Sequence, residues 1–403
     1  MLLTSQVAII QNRPWLLVAL VLVAIIYGSL YPFALHVPPG DEGALTSFLA
    51  TWRRPPQSRG DLLANLLFYF PFGLLAVRAL VEKLDYKTAL ILTVASGALL
   101  SLSMELLQHF DAGRVSAMSD FYLNSTGTAA GAVAGLLWGQ KLLALTIVPR
   151  DASPFAALLL LAWLGWRLFP YEPVIDLHKY WASVKPLLLS PSFDIYEMFR
   201  YATLWGAVTY LIQFGLKVLK PYLAVPAAMA AFFLAKMLIV DQVITFPEII
   251  GALAALGFLI FVLNPQRTLG TRLLAAAFLV SIALERILPL QMSAAARPFE
   301  WIPFFSFLHG SLAVNTQSFM QKTFLYGAAL VLLMDAGLGL VGASLFEGAV
   351  LAATSVFETL LVGRSAEITD AVMVILLALV CHALTTMRPH ARNEALPRGS
   401  GRI

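Results

Sequence analysis

The chain has 403 residues, of which 59% are hydrophobic and only 12% are charged, and its mean hydropathy is +0.80. Soluble domains average about 45–50% apolar and about 25% charged residues, so this composition indicates an integral membrane protein and excludes an ordinary soluble one. The net charge of +4 is modest for this length and gives no support to a nucleic-acid partner.

Twelve apolar runs reach the length of about 20 residues that a transmembrane helix needs. The first starts at Trp15 and is too long for the apolar core of a signal peptide, so we expect an uncleaved span. Three longer connections, 37–60, 171–193 and 290–317, are each expected to include a short interfacial helix or a re-entrant piece. The predicted spans are 15–36, 62–82, 88–108, 121–140, 154–170, 195–216, 222–242, 246–264, 270–289, 318–336, 343–362 and 367–387.

The loops on the side of both termini carry an excess of Lys and Arg, which predicts that both termini are cytoplasmic. The predicted fold is therefore an all-α, polytopic membrane bundle of about twelve transmembrane helices, with the long connections facing outward. The single cysteine, Cys381, lies in an apolar run and forms no disulfide within the chain, so we expect a small core residue.

Related motifs suggest three degenerate four-helix repeats. "DLLANLLFYFPFG" (61–73), "DIYEMFRYATLWG" (194–206) and "NTQSFMQKTFLYG" (315–327) each place a short polar residue twelve positions before a glycine. A helix ending in "LYPF", "LFPY" or "ILPL" precedes each of them. The alternative is chance similarity among membrane helices. The predicted division is a first segment (1–150), a middle segment (151–268), a third segment (269–390) and a basic cytoplasmic tail (391–403).

Ionisable residues are concentrated in "MELLQHFDAGRVSAMSDFYLN" (104–124), at the joint between the third and fourth spans. An unpaired charge inside a bilayer costs about 2.5–3.5 kcal/mol on insertion scales, so these groups are expected to meet partners. Either they are structural, with Arg114 paired to Glu105 or Asp120, or they form a site for an anionic group. The candidate ligand-binding residues are Asp61, Asn65, Glu105, Gln108, His109, Arg114, Asp120 and Asn124.

The stripe Gly127, Gly131 and Gly135 predicts close packing of the fourth span against another helix. Asp120, before this helix, is a candidate N-cap, as is Asp61 before the second span. "ETLLVGRSAEITD" (358–370) repeats the order of Glu, Gly-Arg and Asp of the first segment. The candidate residues of this second copy are Asn315, Glu358, Arg364 and Asp370.

Other polar residues are assigned structural roles. Lys236 and Asp241 are expected to form a buried pair, and Glu285 with Arg286 to reach from a helix end toward the membrane surface. His309 is expected to be a loop residue. No P-loop, Rossmann glycine fingerprint, His-Glu-x-x-His or Gly-x-Ser-x-Gly motif is present, so no cofactor, metal site or reaction is indicated.

The motifs of the first segment resemble those of the VanZ-like family of membrane proteins. The resemblance covers about residues 25–140 and rests on "FPFG" (70–73), Gly113 and the polar residues named above; a weaker second copy covers about 284–386 and lacks the Gln and the Asn. It implies a bacterial protein of the cell envelope, with an accessory role in teicoplanin resistance or surface polysaccharide, and implies no defined biochemical activity.

The first functional hypothesis is recognition of an anionic lipid head group or a lipid-linked glycan at the outer leaflet of the bacterial cytoplasmic membrane. Arg114 is then the anion contact, and His109 carries a proton if there is catalysis. The alternatives are a transporter or flippase with a polar cavity near Lys236 and Asp241, and a purely structural subunit with envelope protein partners.

Overall fold

The computed structural model describes residues 13–37, 43–53, 59–112, 114–138, 152–262, 267–309 and 311–386. Within these ranges the chain is helical, and its β-type contacts are isolated bridges rather than strands. In chain order the α-helices are α1 (Arg13–Leu30), α2 (Ala44–Ala50), α3 (Arg59–Leu80), α4 (Tyr86–Gln108), α5 (Met118–Trp138), α6 (Pro154–Arg167), α7 (Leu177–Leu189), α8 (Ile195–Tyr210), α9 (Pro221–Leu238), α10 (Phe246–Val262), α11 (Arg267–Ile287), α12 (Phe305–His309), α13 (Leu312–Leu333), α14 (Gly339–Phe357) and α15 (Thr369–Thr386).

The predicted helices are confirmed as helices. Each predicted span coincides with one of the longer helices, and the short helices α2, α7 and α12 lie inside the three predicted connections. Among the described residues, four helical stretches are long and apolar enough to cross a membrane: Tyr86–Gln108, Pro221–Leu238, Thr268–Ile287 and Val314–Leu360. The number of twelve spans stays a prediction.

Local sequence explains where several helices begin. Asp85 precedes α4, and its side chain accepts hydrogen bonds from the backbone N–H groups of Lys87 (3.0 Å) and Thr88 (3.1 Å). Asp194 precedes α8 and accepts from the N–H of Glu197 at 3.0 Å. These carboxylates satisfy N–H groups that have no partner within the helix, which fixes the start of each helix.

Three clusters of buried apolar residues pack the helices together in the described part of the chain, and the smallest of them joins Val77, Ala89 and Ala132. In the first segment, Ile25 of α1 packs with Tyr69 and Phe72 of α3. A much larger core runs through the middle and third segments; in it the ring of Trp163 lies 5.1 Å from that of Trp205. Because its buried residues come from both segments, these two segments share one packed interior. Cys381 is part of this core and is 2% exposed, as predicted.

The predicted glycine stripe of α5 packs directly against the backbone of α3. A Cβ atom on Gly131 would lie 2.0 Å from the carbonyl oxygen of Phe70, and one on Gly73 would lie 2.0 Å from that of Thr128. Both distances are far below van der Waals contact, so only glycine allows the two helices to approach this closely. The stripe therefore sets the position of α5, whose N-terminal end carries the polar motif.

Each segment contains one antiparallel backbone bridge between the connection after its first helix and the end of a later helix. In all three, two N–H···O=C hydrogen bonds of 2.7–3.1 Å flank the bridge. The bridged residues are Leu35 and Asp111 in the first segment, Pro173 and Ile239 in the middle segment, and Met292 and Leu361 in the third segment. Each bridge lies at the connection between the third and fourth long helices of its segment, and we call this connection the joint of the segment. The candidate residues lie around these joints.

Candidate functional site

Arg114 binds backbone carbonyl groups at the end of α1 and does not pair with an acidic side chain. Its Nε donates to the carbonyl oxygen of Tyr31 and its Nη2 to that of Gly28, both at 2.9 Å. No ion pair joins Arg114 to Glu105 or Asp120, which all lie in the described part of the chain. The predicted pairing is therefore wrong, because the last carbonyls of α1 have no partner within the helix and take the guanidinium instead.

The other candidates of the first segment also make contacts to backbone and helix ends. Glu105 is buried, at 2% exposure, and its Oε2 accepts from the N–H of Ala117 (2.8 Å) just before α5. Gln108 donates from Nε2 to the carbonyl oxygen of Ser29 at 2.8 Å. A carboxylate near a helix N-terminus is favoured by the helix dipole, so Glu105 fixes the joint between α4 and α5.

The remaining first-segment candidates make contacts of other kinds. Asn124 is buried and donates from Nδ2 to Ser101 Oγ at 3.0 Å, and His109 packs its ring 5.0 Å from that of Phe110. Asn65 is half-buried in α3. Asp120 is held at 3.2 Å by the hydroxyl of Ser119. Gly113 and the side chain of Asp61 lie outside the described part.

The two predicted N-caps are corrected by the helix boundaries. α5 begins at Met118 and α3 begins at Arg59, so Asp120 and Asp61 both lie inside the first turn. The N-cap contact of α5 comes instead from Thr51, whose Oγ1 accepts from the N–H of Met118 at 2.9 Å. A hydroxyl from the connection after α2 therefore takes the place that the sequence assigned to Asp120.

In the third segment, Arg364 repeats the contact of Arg114. Its Nη2 donates to the carbonyl oxygens of Glu285 (3.0 Å) and Leu288, at the end of α11. In both segments, therefore, the arginine of the Gly-Arg motif binds the two carbonyls located four residues and one residue before the proline that follows the first helix.

Glu358 and Asp370, the two acids of the second copy, both pair with Arg286, which was predicted to reach toward the membrane surface. Arg286 is 9% exposed and does not reach for the membrane surface, so that prediction is wrong. Its Nη2 donates to Glu358 Oε2 at 2.9 Å, and its Nη1 binds Asp370 Oδ2. Ser355 Oγ accepts from Nη2 at 2.7 Å. Two carboxylates and a hydroxyl compensate the burial of this guanidinium.

Lys322 completes this group, which we call the third-segment ion cluster (Arg286, Lys322, Glu358 and Asp370). Lys322 Nζ lies 2.6 Å from Asp370 Oδ1, and its side chain is 26% exposed whereas that of Asp370 is 3% exposed. Asp370 is thus held between two cations. Lys322 has the most exposed side chain of the cluster.

A polar cavity of about 230 Å³ opens beside the third-segment ion cluster. Besides the cluster itself, Glu285, Gln321 and Arg364 supply its polar lining. Glu285 Oε1 accepts from Gln321 Nε2 at 3.1 Å and lies 3.5 Å from Arg200 Nη1 of α8, so the middle segment supports this wall. Asn315 lies elsewhere and binds the carbonyl oxygen of Phe307 near the start of α13.

The middle segment holds a closed version of the same arrangement, the middle ion cluster (Arg167, Lys236 and Glu248). Glu248 is 1% exposed and lies 2.6 Å from both Lys236 Nζ and Arg167 Nη2. Asp241 is exposed in the turn after α9, with φ of 57°. The predicted Lys236–Asp241 pair is wrong, because α9 ends at Leu238 and the turn carries Asp241 away from the helix.

The three joints place their polar residues at matching positions. The first matching position lies three residues before the proline that follows the first helix of each segment, and it is occupied by Ser29, Arg167 and Arg286. The second position lies three residues before the bridge residue that comes later in the chain (Asp111, Ile239 or Leu361), and it is occupied by Gln108, Lys236 and Glu358. Nine residues after that bridge residue stand Asp120, Glu248 and Asp370.

The acids of the third-segment ion cluster are identifiable from the sequence motif, whereas its cations, Arg286 and Lys322, were not predicted to belong to the site. The available signal was the position of Arg286 three residues before Pro289, which matches that of Arg167 before Pro170. Lys322 gave no comparable signal, since Phe68 and Tyr201 stand at the matching positions of the other two repeat motifs.

Together, the apolar helices and the polar joints define a helical membrane protein. Comparison with known families agrees with this class: residues 15–139 match the model of the VanZ/LLP1 family, which supports the VanZ-like assignment that the sequence motifs suggested. No curated protein and no solved structure matches the chain. The second copy, predicted over about 284–386, lies outside the matched residues and stays a prediction.

Proposed function

We propose that this protein is a multi-pass component of the bacterial cytoplasmic membrane that binds a phosphate-bearing, anionic lipid head group or lipid-linked glycan at the outer leaflet. The proposed site is the cavity beside the third-segment ion cluster. The proposal includes twelve spans in three degenerate four-helix units, with both termini in the cytoplasm. Its role is accessory, in teicoplanin resistance or surface polysaccharide.

Matching contacts at the three joints support the repeat. Each joint has an antiparallel backbone bridge and polar residues at the same distances from it along the chain. In the first and third segments, Arg114 and Arg364 bind equivalent carbonyls. Chance similarity among apolar helices does not explain why contacts between residues far apart in the chain recur at the same offsets.

The observation that carries the binding proposal is the cavity with Lys322 and Arg364 in its wall. Lys and Arg are the side chains that bind phosphate, through charge-assisted hydrogen bonds. Pockets for drug-sized ligands measure about 300–1,000 Å³. At about 230 Å³, this cavity suits a head group whose acyl chains or glycan remain outside it.

The site is proposed in the third segment because the first segment uses its motif differently. Arg114 and Glu105 are engaged with backbone groups at helix ends. Arg364 makes the same helix-end contact but also lines the cavity, next to a lysine that is 26% exposed. A transporter gains no support from the middle segment, where Lys236 is closed off in an ion pair and Asp241 lies apart from it.

Native mass spectrometry of the full-length protein, purified in mild detergent with its lipids, tests the proposal. Lys322→Gln removes the exposed ammonium and keeps a polar side chain of similar length. A hydrogen bond to a charged group contributes about 1.5–3 kcal/mol, so we expect about a tenfold or greater loss of bound phospholipid or lipid-linked glycan.

Lys179→Gln is the matched control. Lys179 is also half-buried and donates to the carbonyl oxygen of Gln242 at 2.9 Å, but it lies in α7 and does not line the cavity. We expect this variant to retain lipid at the wild-type level. Equal retention by the Lys322 variant and the wild type would contradict the proposed site, provided that both proteins show the same unfolding temperature.

A further inference from the structure

Resting on the phosphate contact of the proposed function, but replacing its net negative charge, we infer that the cavity selects a head group whose anionic phosphate is accompanied by a primary ammonium, as in the zwitterionic phosphatidylethanolamine. Charged side chains of both signs line its wall, and they balance. The cations are Arg286, Lys322 and Arg364, and the acids are Glu285, Glu358 and Asp370.

Not all of these groups are available to a ligand. Asp370 uses both carboxylate oxygens, one toward Arg286 and one toward Lys322. Arg286 is bound to Glu358, Asp370 and Ser355. Asp370 and Arg286 therefore contact mainly other lining residues.

Four groups retain free capacity toward described residues, two of each sign. Lys322 has an ion pair with Asp370 alone, and Arg364 donates only from Nη2. Glu358 accepts only at Oε2, and Glu285 accepts only at Oε1, which leaves one carboxylate oxygen of each for another donor within the described structure. The cavity thus offers both anion and cation contacts.

Charge balance decides between a zwitterion and a simple anion. In a low-dielectric environment, a ligand with net negative charge leaves an uncompensated charge in a cavity whose own charges cancel. A zwitterion adds no net charge and satisfies both pairs of free groups: the phosphate binds Lys322 and Arg364, and the ammonium binds Glu285 and Glu358. A head group that is only anionic also leaves both carboxylate oxygens without a donor.

The lining further favours a primary over a quaternary ammonium. Quaternary ammonium groups are recognised by cages of aromatic rings. Tyr326 is the one aromatic residue of the cavity wall in the described structure, and its hydroxyl is bound to Arg286 at 3.2 Å. Carboxylate oxygens instead accept N–H hydrogen bonds, which a primary ammonium donates and a trimethylammonium does not.

The experiment is competition among three lipids with identical acyl chains. Delipidated full-length protein in detergent receives equimolar phosphatidylethanolamine, phosphatidylglycerol and phosphatidylcholine, and native mass spectrometry measures the bound species. We expect the ethanolamine lipid to exceed each of the others by about fivefold or more, because each of the other head groups leaves the free carboxylate oxygens of the cavity without an N–H donor. Glycerol or choline lipid bound equally well overturns the inference.

Glu285→Gln tests the ammonium contact. This variant should lose the preference of ethanolamine lipid over phosphatidylglycerol while still binding phospholipid. Glu197→Gln is the matched control, because Glu197 Oε2 also pairs with Arg200 (2.8 Å) but does not line the cavity. A preference that survives in Glu285→Gln, or that is lost equally in both variants, contradicts the assignment of the ammonium to Glu285.

Two further arms separate the possible failures. If Lys322→Gln and wild type bind all three lipids equally, the proposed function itself fails; if binding depends on Lys322 but shows no ethanolamine preference, only the present inference fails. Soluble O-phosphoethanolamine distinguishes a lipid from a free metabolite. Weaker binding of the soluble compound than of the lipid supports a membrane ligand, and equal binding contradicts it.

Discussion

The middle and third segments place ionic residues at equivalent joints but bury them differently. In the middle ion cluster, Glu248 is 1% exposed and touches Arg167 and Lys236 at the same distance of 2.6 Å. In the third-segment ion cluster, Asp370 is equally buried between Arg286 and Lys322, yet the lysine is 26% exposed and faces a cavity.

The difference shows that matching positions along the chain do not by themselves place an ion cluster beside a cavity. Two cations and one acid fill the middle joint, and its lysine side chain is only 4% exposed. The third joint adds a second acid, Glu358, and takes its lysine from α13, where the lysine side chain lines the cavity. An ion cluster that is closed can only hold helices together, whereas one that opens onto a cavity can also bind a polar ligand.

The largest expected effect is in the middle ion cluster. Glu248→Gln leaves two buried cations without a counter-charge, and breaking a buried pair in this way destabilises by about 3–5 kcal/mol. Glu358→Gln should cost less, since Arg286 keeps Asp370 and the cavity admits water. Thermal unfolding in one detergent compares the two variants. A larger loss for Glu358→Gln would reverse the proposed division into a structural and a binding cluster.

The first segment extends the comparison, because the neutral residues Ser29 and Gln108 occupy the positions that carry charges in the other two joints. Helix packing is therefore expected to contribute more to the stability of this segment. Gly131→Ala places a methyl group on the carbonyl of Phe70 and should destabilise by about 1–3 kcal/mol through overpacking. Gly348→Ala, in α14 with nothing within 4 Å of its Cβ position, is the control and should be neutral or slightly stabilising. Equal unfolding temperatures of the two variants contradict the close approach of α3 and α5.

A smaller effect is expected at the start of α5. Thr51→Val removes the hydroxyl that accepts from the N–H of Met118, and loss of an N-cap costs about 1 kcal/mol. Thr126→Val, which removes an exposed hydroxyl bonded to the carbonyl of Tyr122 within α5, serves as the control. Hydrogen exchange of the first turn of α5 should rise in Thr51→Val alone; unchanged exchange would show that another group caps this helix.

Elements that depend on local pattern were predictable from the sequence. Apolar runs of sufficient length predicted each of the longer helices in the described residues, and the spacing of Gly127, Gly131 and Gly135 predicted the face of α5 that packs closely. Both signals are periodic and lie within one helix, so no knowledge of the tertiary fold is needed to interpret them.

Pairing of the ions was not predictable in the same way. Arg286 meets Glu358 and Asp370 across 72 and 84 residues of chain, and Lys236 meets Glu248 rather than the nearer Asp241. Arg114 binds the carbonyls of Tyr31 and Gly28 around the end of α1, 83 and 86 residues away, instead of the acids near it in sequence. The predicted pairs were wrong because they were chosen by closeness in sequence, whereas the helix ends and the backbone bridges determine which side chains come into contact.

The measurement that tests the central claim most directly is lipid retention by Arg364→Gln and Arg114→Gln in native mass spectrometry. Both arginines hold the end of a first helix through two carbonyls, so both variants should lose similar stability, but only Arg364 lines the cavity. We predict a loss of bound phospholipid in Arg364→Gln and wild-type retention in Arg114→Gln. Equal retention by the two variants, or a loss confined to Arg114→Gln, would contradict a binding site in the third segment.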